Sequence, residues 1–259
     1  MATPFTSPKT SFNGALTPHR KVAFVDVPLQ EIRDARKLVE GATVNDVVLA
    51  VTAGALRRYL DARGERFDKA LTAAIPVGIQ NDGGGGTGNS LSVMFSTLAT
   101  DIDDPVERLR RIYDANKGAK AEQKALGATT MMDWADLAAP VMFSLAARLY
   151  TSTRLADRMP AAFNLIVSNV PGPPIPLYFC GARLVDLYPL GPILDGLGLN
   201  LTVLSNMDHM GFGFIASREL MPELWDLAHA VPDALAELTK ALNGSSGSRK
   251  KSPSGGSAS

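Results

Sequence analysis

FNLIVSNV (163–170), RLVDLYPL (183–190), GLNLTVLSN (198–206) and MGFGFIAS (210–217) decide the class of this 259-residue chain. Each is a short apolar run rich in β-branched, leucine and aromatic residues, bounded by Gly, Pro, Asn or Ser. That is the pattern of a strand. From Met159 to Met207 only Arg183, Asp186 and Asp195 carry charge. So few charges predict sheet strands buried on both faces. Upstream, KVAFVDVP (21–28), LTAAIPVGI (71–79) and SLSVMFSTLAT (90–100) read as further strands. Helical spacing appears in four places. In 29–39, Ile32, Ala35 and Val39 share a face and Gly41 follows as a C′ glycine. In 43–60, Val44, Val47, Val48 and Val51 recur at three and four, with Gly64 beyond the end. Asp104, Pro105 and Glu107 supply an N-cap, an N1 proline and an N3 acid for a helix to about Leu126. Residues 133–158 read as a helix or pair broken at Pro140, and Pro222–Leu242 as a closing helix. The order is strand, helices, strands, helices, strands, helix. It predicts an α/β layered domain with a mixed sheet, without the alternation of a doubly wound or barrel fold.

Residues 1–20 read as an extended arm or linker, 21–242 as one domain, and 243–259 (NGSSGSRKKSPSGGSAS) as a disordered tail. Apolar residues are 46% and charged residues 20%, below the ~25% of an average domain. A disordered chain, coiled coil or collagen repeat is excluded. Lys+Arg and Asp+Glu both number 26, and Arg249, Lys250 and Lys251 lie in the tail, so the body is slightly acidic. No nucleic-acid partner is expected. One cysteine, Cys180, excludes an internal disulfide and a Cys₄ or Cys₂His₂ zinc site. The N-terminus lacks a charged-then-apolar signal pattern. The uncharged stretch Met159–Ala182 holds five prolines, which rules out a spanning helix. The expectation is a soluble, cytoplasmic protein with a large apolar face.

The glycine run at 83–88 fails as a phosphate loop, because Asn89 stands where the lysine belongs. His19, His209 and His229 show no ligand spacing to one another and no visible partner, so no metal site and ordinary surface roles are expected. Cys180 has only Arg183 nearby to favour a thiolate, so it is expected to be a buried structural thiol. Ser168 lacks a G-x-S-x-G elbow. Two segments keep two readings each. Thr43-Val-Asn-Asp46 is a capping box, or a helix start that presents Asn45 and Asp46 to a cleft. Ser168-Asn-Val-Pro-Gly-Pro-Pro174 is a strand end with a stiff turn, or a pocket frame in which Ser168 and Asn169 orient a ligand beside Pro171 and Gly172.

TVNDVVLAVTAGALRRYL (43–60), GNSLSVMF (88–95), DPVERLRRI (104–112), SNVPGP (168–173), GPILDGLGLN (191–200) and FGFIASRELMPEL (212–224) follow one another in an order that resembles the bacterial wax ester synthase/diacylglycerol acyltransferase family. The resemblance covers residues 10–242 and concerns that family's C-terminal half. It implies a mixed-sheet half-domain like chloramphenicol acetyltransferase and condensation domains. It also implies transfer of an acyl group from acyl-CoA, a co-substrate and not a resident cofactor, to diacylglycerol or a fatty alcohol. The family's HHxxxDG motif lies in its N-terminal half. Nothing here matches it, since no two histidines are adjacent. The implied partner is therefore an HHxxxDG-bearing half, with room for peripheral contact at a membrane or lipid droplet. Asn45 and Asp46 match the family's Asn-Asp pair near the substrate tunnel, and Ser168–Pro173 match a further family segment. The rival readings are a non-catalytic lipid-binding or scaffold module, and a self-sufficient enzyme with His209 as its base.

Overall fold

Six of the chain's strands join one sheet in the computed structural model, which describes residues 7–78, 91–126, 153–157 and 161–249. The strands are β1 (Arg20–Pro28), β2 (Thr72–Gly78), β3 (Leu91–Thr97), β4 (Leu165–Val170), β7 (Leu199–Asn206) and β8 (His209–Ser217). A separate two-residue hairpin is made by β5 (Tyr178–Phe179) and β6 (Ala182–Arg183). Across the large sheet the order is β1-β8-β7-β4-β2-β3. The pairs β4/β7 and β2/β4 are parallel and the rest antiparallel, so the sheet is mixed, as expected. Pro76 lies beyond the last β2–β4 pair, where its missing N–H takes nothing from that ladder.

Alternation along the strands gives the sheet two different faces. Leu165 and Val167 of β4, Leu201 and Val203 of β7, and Phe212 and Phe214 of β8 are all buried at 1% exposure or less. Over that face lie α1 (Leu29–Ala35), α2 (Val44–Ala62), α3 (Pro105–Leu126) and α4 (Leu224–Arg249). α2 packs against both α3 and α4. Every residue from Asp46 to Leu56 is buried, so α2 is a central helix, covered on all sides over that stretch. Gly41 has φ +84°, as a C′ glycine should.

The other face carries Ser168, Thr202, Gly211 and Gly213, and an irregular strap crosses it. A Cβ on Gly213 would lie 1.9 Å from the Pro189 carbonyl oxygen, and one on Gly211 2.8 Å from that of Leu187. The strap replaces the strand expected over 183–190, of which only Arg183 is in a strand. It lies over the sheet and not along its edge. Side chains satisfy its carbonyls: Asn206 Nδ2 donates to Val185 O at 2.9 Å and Asn200 Nδ2 to Pro192 O at 3.1 Å.

Four further expectations are corrected. The charge-poor stretch 159–207 is not all interior: Ile175, Tyr178, Phe179 and Val185 are 62–80% exposed. Cys180 is exposed, because it forms a two-residue hairpin turn with Gly181, both at positive φ. Residues 7–19 hold no helix or strand, but they do not behave as a linker. Phe12 is fully buried, and Asn13 Nδ2 donates to Asn164 O at 2.9 Å and Gly196 O at 2.8 Å. The closing helix runs on to Arg249, into the expected tail. A helix already nucleated on the core needs only propagation to add turns. The glycine run at 83–88 and nearly all of the expected 133–158 helix lie outside the described residues.

Candidate functional site

The N-terminus of α2 meets the C-terminal end of β4. Thr43 is extended (φ −100°, ψ 166°) and its hydroxyl accepts from Asp46 N at 3.3 Å. In return Asp46 Oδ2 accepts from Thr43 N at 2.8 Å and Thr43 Oγ1 at 2.7 Å, so the capping box read from the sequence is present. Asp46 is 2% exposed, and its second oxygen accepts from Asn116 Nδ2 of α3 at 2.6 Å. Both carboxylate oxygens are thus engaged by donors. A carboxylate so buried and held by three donors is a structural acceptor.

Asn45, one residue earlier on the helix, is only part-buried. Its Oδ1 lies 3.5 Å from Asn169 Nδ2, at the outer limit of a hydrogen bond. Asn169 shares the helix-covered face with Leu165 and Val167. Ser168 has the opposite parity and falls on the strap face, level with Thr202. The structure therefore brings together Asn45, Asp46 and Asn169 and sets Ser168 apart from them. Pro171 is exposed just past β4. Gly172 is locked against β7: its N–H donates to Ser205 Oγ at 3.0 Å, and a Cβ there would sit 1.7 Å from Ser205 O. The turn must hold glycine for close approach.

Chemically, two carboxamides at a strand end can donate to and accept from a polar ligand group. They can orient a hydroxyl or a carbonyl. They cannot take up a proton at neutral pH. Asn116 was missed in the sequence, because a lone asparagine in the long, polar α3 has no local signal. Only the fold brings it to Asp46.

The histidines acquire partners that the sequence did not reveal. His19 Nδ1 lies 2.7 Å from Glu219 Oε1. His209 Nδ1 lies 3.2 Å from Asp26 Oδ2 and its Nε2 3.7 Å from Asp208 Oδ1. Tyr188 also donates to Asp26, at 3.3 Å, and burial, with Asp26 and Asp186 nearby, pushes its phenol up to about 12. His229 lies against the Trp225 ring. Among the described residues no three His, Cys, Asp or Glu side chains converge as a metal site. Two cavities, of ≈ 390 Å³ beside Arg111 and Asp114 and ≈ 350 Å³ beside Tyr59 and Arg63, lie away from the asparagines. The geometry of α2 and β4 is the better guide to the site, because polar groups of different elements converge there. No described helix is long and apolar enough to cross a membrane.

Comparison with known proteins gives a consistent result. Residues 87–239 match the WS/DGAT C-terminal domain, and residues 1–48 match part of the wax ester synthase/diacylglycerol acyltransferase catalytic domain. A protein of Mycobacterium tuberculosis (strain ATCC 25618 / H37Rv) that carries the name diacylglycerol O-acyltransferase is 38% identical over 238 residues, 92% of this chain and 47% of its own length. Another from the same strain is 34% identical over 236 residues, 91% of this chain and 47% of its own. Among solved structures, the wax ester synthase/diacylglycerol acyltransferase from Marinobacter aquaeolei VT8 superposes with a TM-score of 0.74 at 32% identity, covering 92% of this chain and 53% of that one. The trichothecene 15-O-acetyltransferase of Fusarium sporotrichioides (12% identity, TM-score 0.53) shares the fold alone. The chain spans about half the length of the curated relatives that it matches.

Proposed function

The chain belongs to the wax ester synthase/diacylglycerol acyltransferase family, and from that premise we propose that it serves as the C-terminal half of an acyl-CoA-dependent O-acyltransferase that forms triacylglycerol or wax ester. In the proposed reaction the acceptor hydroxyl oxygen attacks the thioester carbonyl. The C–S bond breaks, and coenzyme A leaves as its thiol. A base must take the hydroxyl proton, and donors must face the tetrahedral oxyanion. Asn45 and Asn169 supply orienting amides at the wall of the substrate tunnel. The base belongs to an HHxxxDG-bearing N-terminal half. Residues 21–242 are the body of the domain in this reading, and any contact with a membrane or lipid droplet is peripheral.

The observation that supports this reading best is the exposed apolar hairpin and strap. Tyr178, Phe179, Val185 and Leu194 are 56–80% exposed, a surface that calls for a covering partner. The partner that fits is the other half, because the relatives are about twice as long as the region they share with this chain. The test is a thioester-release assay with long-chain acyl-CoA and diacylglycerol or fatty alcohol. The chain alone should read at background, and co-expression with an HHxxxDG-bearing half should restore turnover. Clear turnover by the chain alone, or none with the partner half bound, would sink the proposal. Lipid binding without turnover in the paired state would favour the non-catalytic module.

A further inference from the structure

We propose that Asn116 of α3 is a positioning residue: its amide fixes the Asp46 carboxylate and, through it, the first turn of α2 that presents Asn45 to Asn169. This rests on the reading that the α2/β4 end faces the substrates. Asp46 draws two of its hydrogen bonds from Thr43, within its own turn, and these set only the local shape of the helix start. Among the described residues, the bond from Asn116 Nδ2, at 2.6 Å, is the one that ties Asp46 to another helix. The rest of α2 from Val47 to Leu56 is buried, and apart from Thr52 its own side chains are apolar. Apolar packing tolerates small rotations and slides of a helix, whereas a buried directional bond to a carboxylate admits one register.

Asn116 itself indicates that this bond is its purpose. The residue is 2% exposed, and its Oδ1 accepts no hydrogen bond from any described residue. A buried acceptor without a donor disfavours the folded state, and a leucine, with the same branched skeleton and no polar atom, would avoid that cost. What leucine lacks is the Nδ2 donor. Among the described residues, half of the amide has no partner while the other half holds Asp46. The consequence lies one residue away, where Asn45 Oδ1 stands 3.5 Å from Asn169 Nδ2. A rotation of the first turn by a few tenths of an ångström decides whether those two amides act as one site.

The experiment has two arms. In the complete enzyme, with this chain paired to its HHxxxDG-bearing half, Asn116→Leu should lower kcat per folded molecule about ten-fold or more and leave KM for acyl-CoA within about two-fold. The exchange Asn116→Asp with Asp46→Asn rebuilds the contact with donor and acceptor reversed, and it should recover most of that kcat. In the 259-residue chain alone, Asn116→Leu should shift or broaden the side-chain amide NMR signals of Asn45 and Asn169. An Asn116→Leu enzyme with unchanged kcat per folded molecule overturns the proposal, and so do unmoved Asn45 and Asn169 signals. If the wild-type pair shows no turnover, the acyltransferase reading fails, and the NMR arm still decides what Asn116 holds.

Discussion

Replacing Tyr178 and Phe179 together by serine should leave the fold intact and break its partnership. Tyr178 is 65% exposed and Phe179 80%. A buried aromatic removes 150–250 Å² from water, so the exposed parts of the two rings total roughly 290 Å². At about 25 cal/mol per Å², full burial against a partner would be worth at most about 7 kcal/mol. Ordering the hairpin and burying it incompletely reduce that, and a loss of about 2–4 kcal/mol is expected, roughly 30- to 1,000-fold in Kd. Neither ring contributes to the buried core, so folding stability should change by no more than about 0.5 kcal/mol. Two measurements decide the matter: Kd for the immobilised N-terminal half, and the urea midpoint of the variant. A Kd within about three-fold of wild type would show that the hairpin is not the docking surface. A stability loss above about 1.5 kcal/mol would show that the rings are already packed in the free chain, and the exposure reasoning would be wrong.

Gly172→Ala forces a Cβ to within 1.7 Å of Ser205 O, so it should cost about 1–3 kcal/mol in urea unfolding, while Ser205→Ala loses one hydrogen bond, about 1 kcal/mol. Asp46→Ala removes a cap and also strands Asn116 Nδ2, so it should destabilise by about 2–4 kcal/mol against about 1 for Thr43→Ala, and equal midpoints would contradict the buried contact. Glu219 is held down to about 2, chiefly by the Thr17 hydroxyl at 2.5 Å and then by the His19 ring. Its depressed value means that it favours the folded state above its ordinary value of 4.5 and loses that contribution as pH falls toward 2. A carboxyl NMR titration should show this, with Thr17→Val moving the midpoint upward, and an ordinary midpoint in wild type would refute the contact.

Much of the fold was legible because the deciding signals are local. Thr43 and Asp46 announce α2 through spacing alone, and Asp104 does the same for α3, where its Oδ1 accepts from Val106 N at 3.0 Å and Glu107 N at 2.8 Å. The misread elements depend on what lies beside them. RLVDLYPL has a strand's composition, but its carbonyls rest on Gly211 and Gly213, which are distant in sequence. Cys180 reads as a core thiol because only Arg183 stands near it in sequence to favour a thiolate, yet the fold puts it in an exposed turn beside the exposed Tyr178 and Phe179. The site was half legible. Asn45, Asp46 and Asn169 could be named, but parity alone could not say that Asn169 faces α2 and Ser168 the strap until the β4–β7 register was known. Asn116 lies 70 residues from Asp46, with no pattern linking them.

The same register also sets His209 apart from the proposed site. His209 pairs with Asn206, and along β8 it shares a face with Gly211 and Gly213, the strap side of the sheet. Asn169 and Asn45 lie on the helix side. β8 and β4 are also separated by β7, which places them two inter-strand steps apart, roughly 9–10 Å. A general base must come within about 2.6–3.2 Å of the proton it removes, or act through one water. On the proposed reading, an acceptor hydroxyl held by the two asparagines would lie beyond His209, through both distance and the thickness of the sheet. His209 is instead engaged by Asp26, which Tyr188 also contacts, and this arrangement pins β1 to the β7–β8 turn and the strap. His209→Ala should accordingly leave kcat in the paired enzyme within about two-fold, while it lowers stability by no more than about 1 kcal/mol for an exposed pair. A loss of a hundred-fold or more in kcat at unchanged folded fraction would mean that the histidine reaches the substrate after all, and the placement of the site at the α2/β4 end would have to be given up.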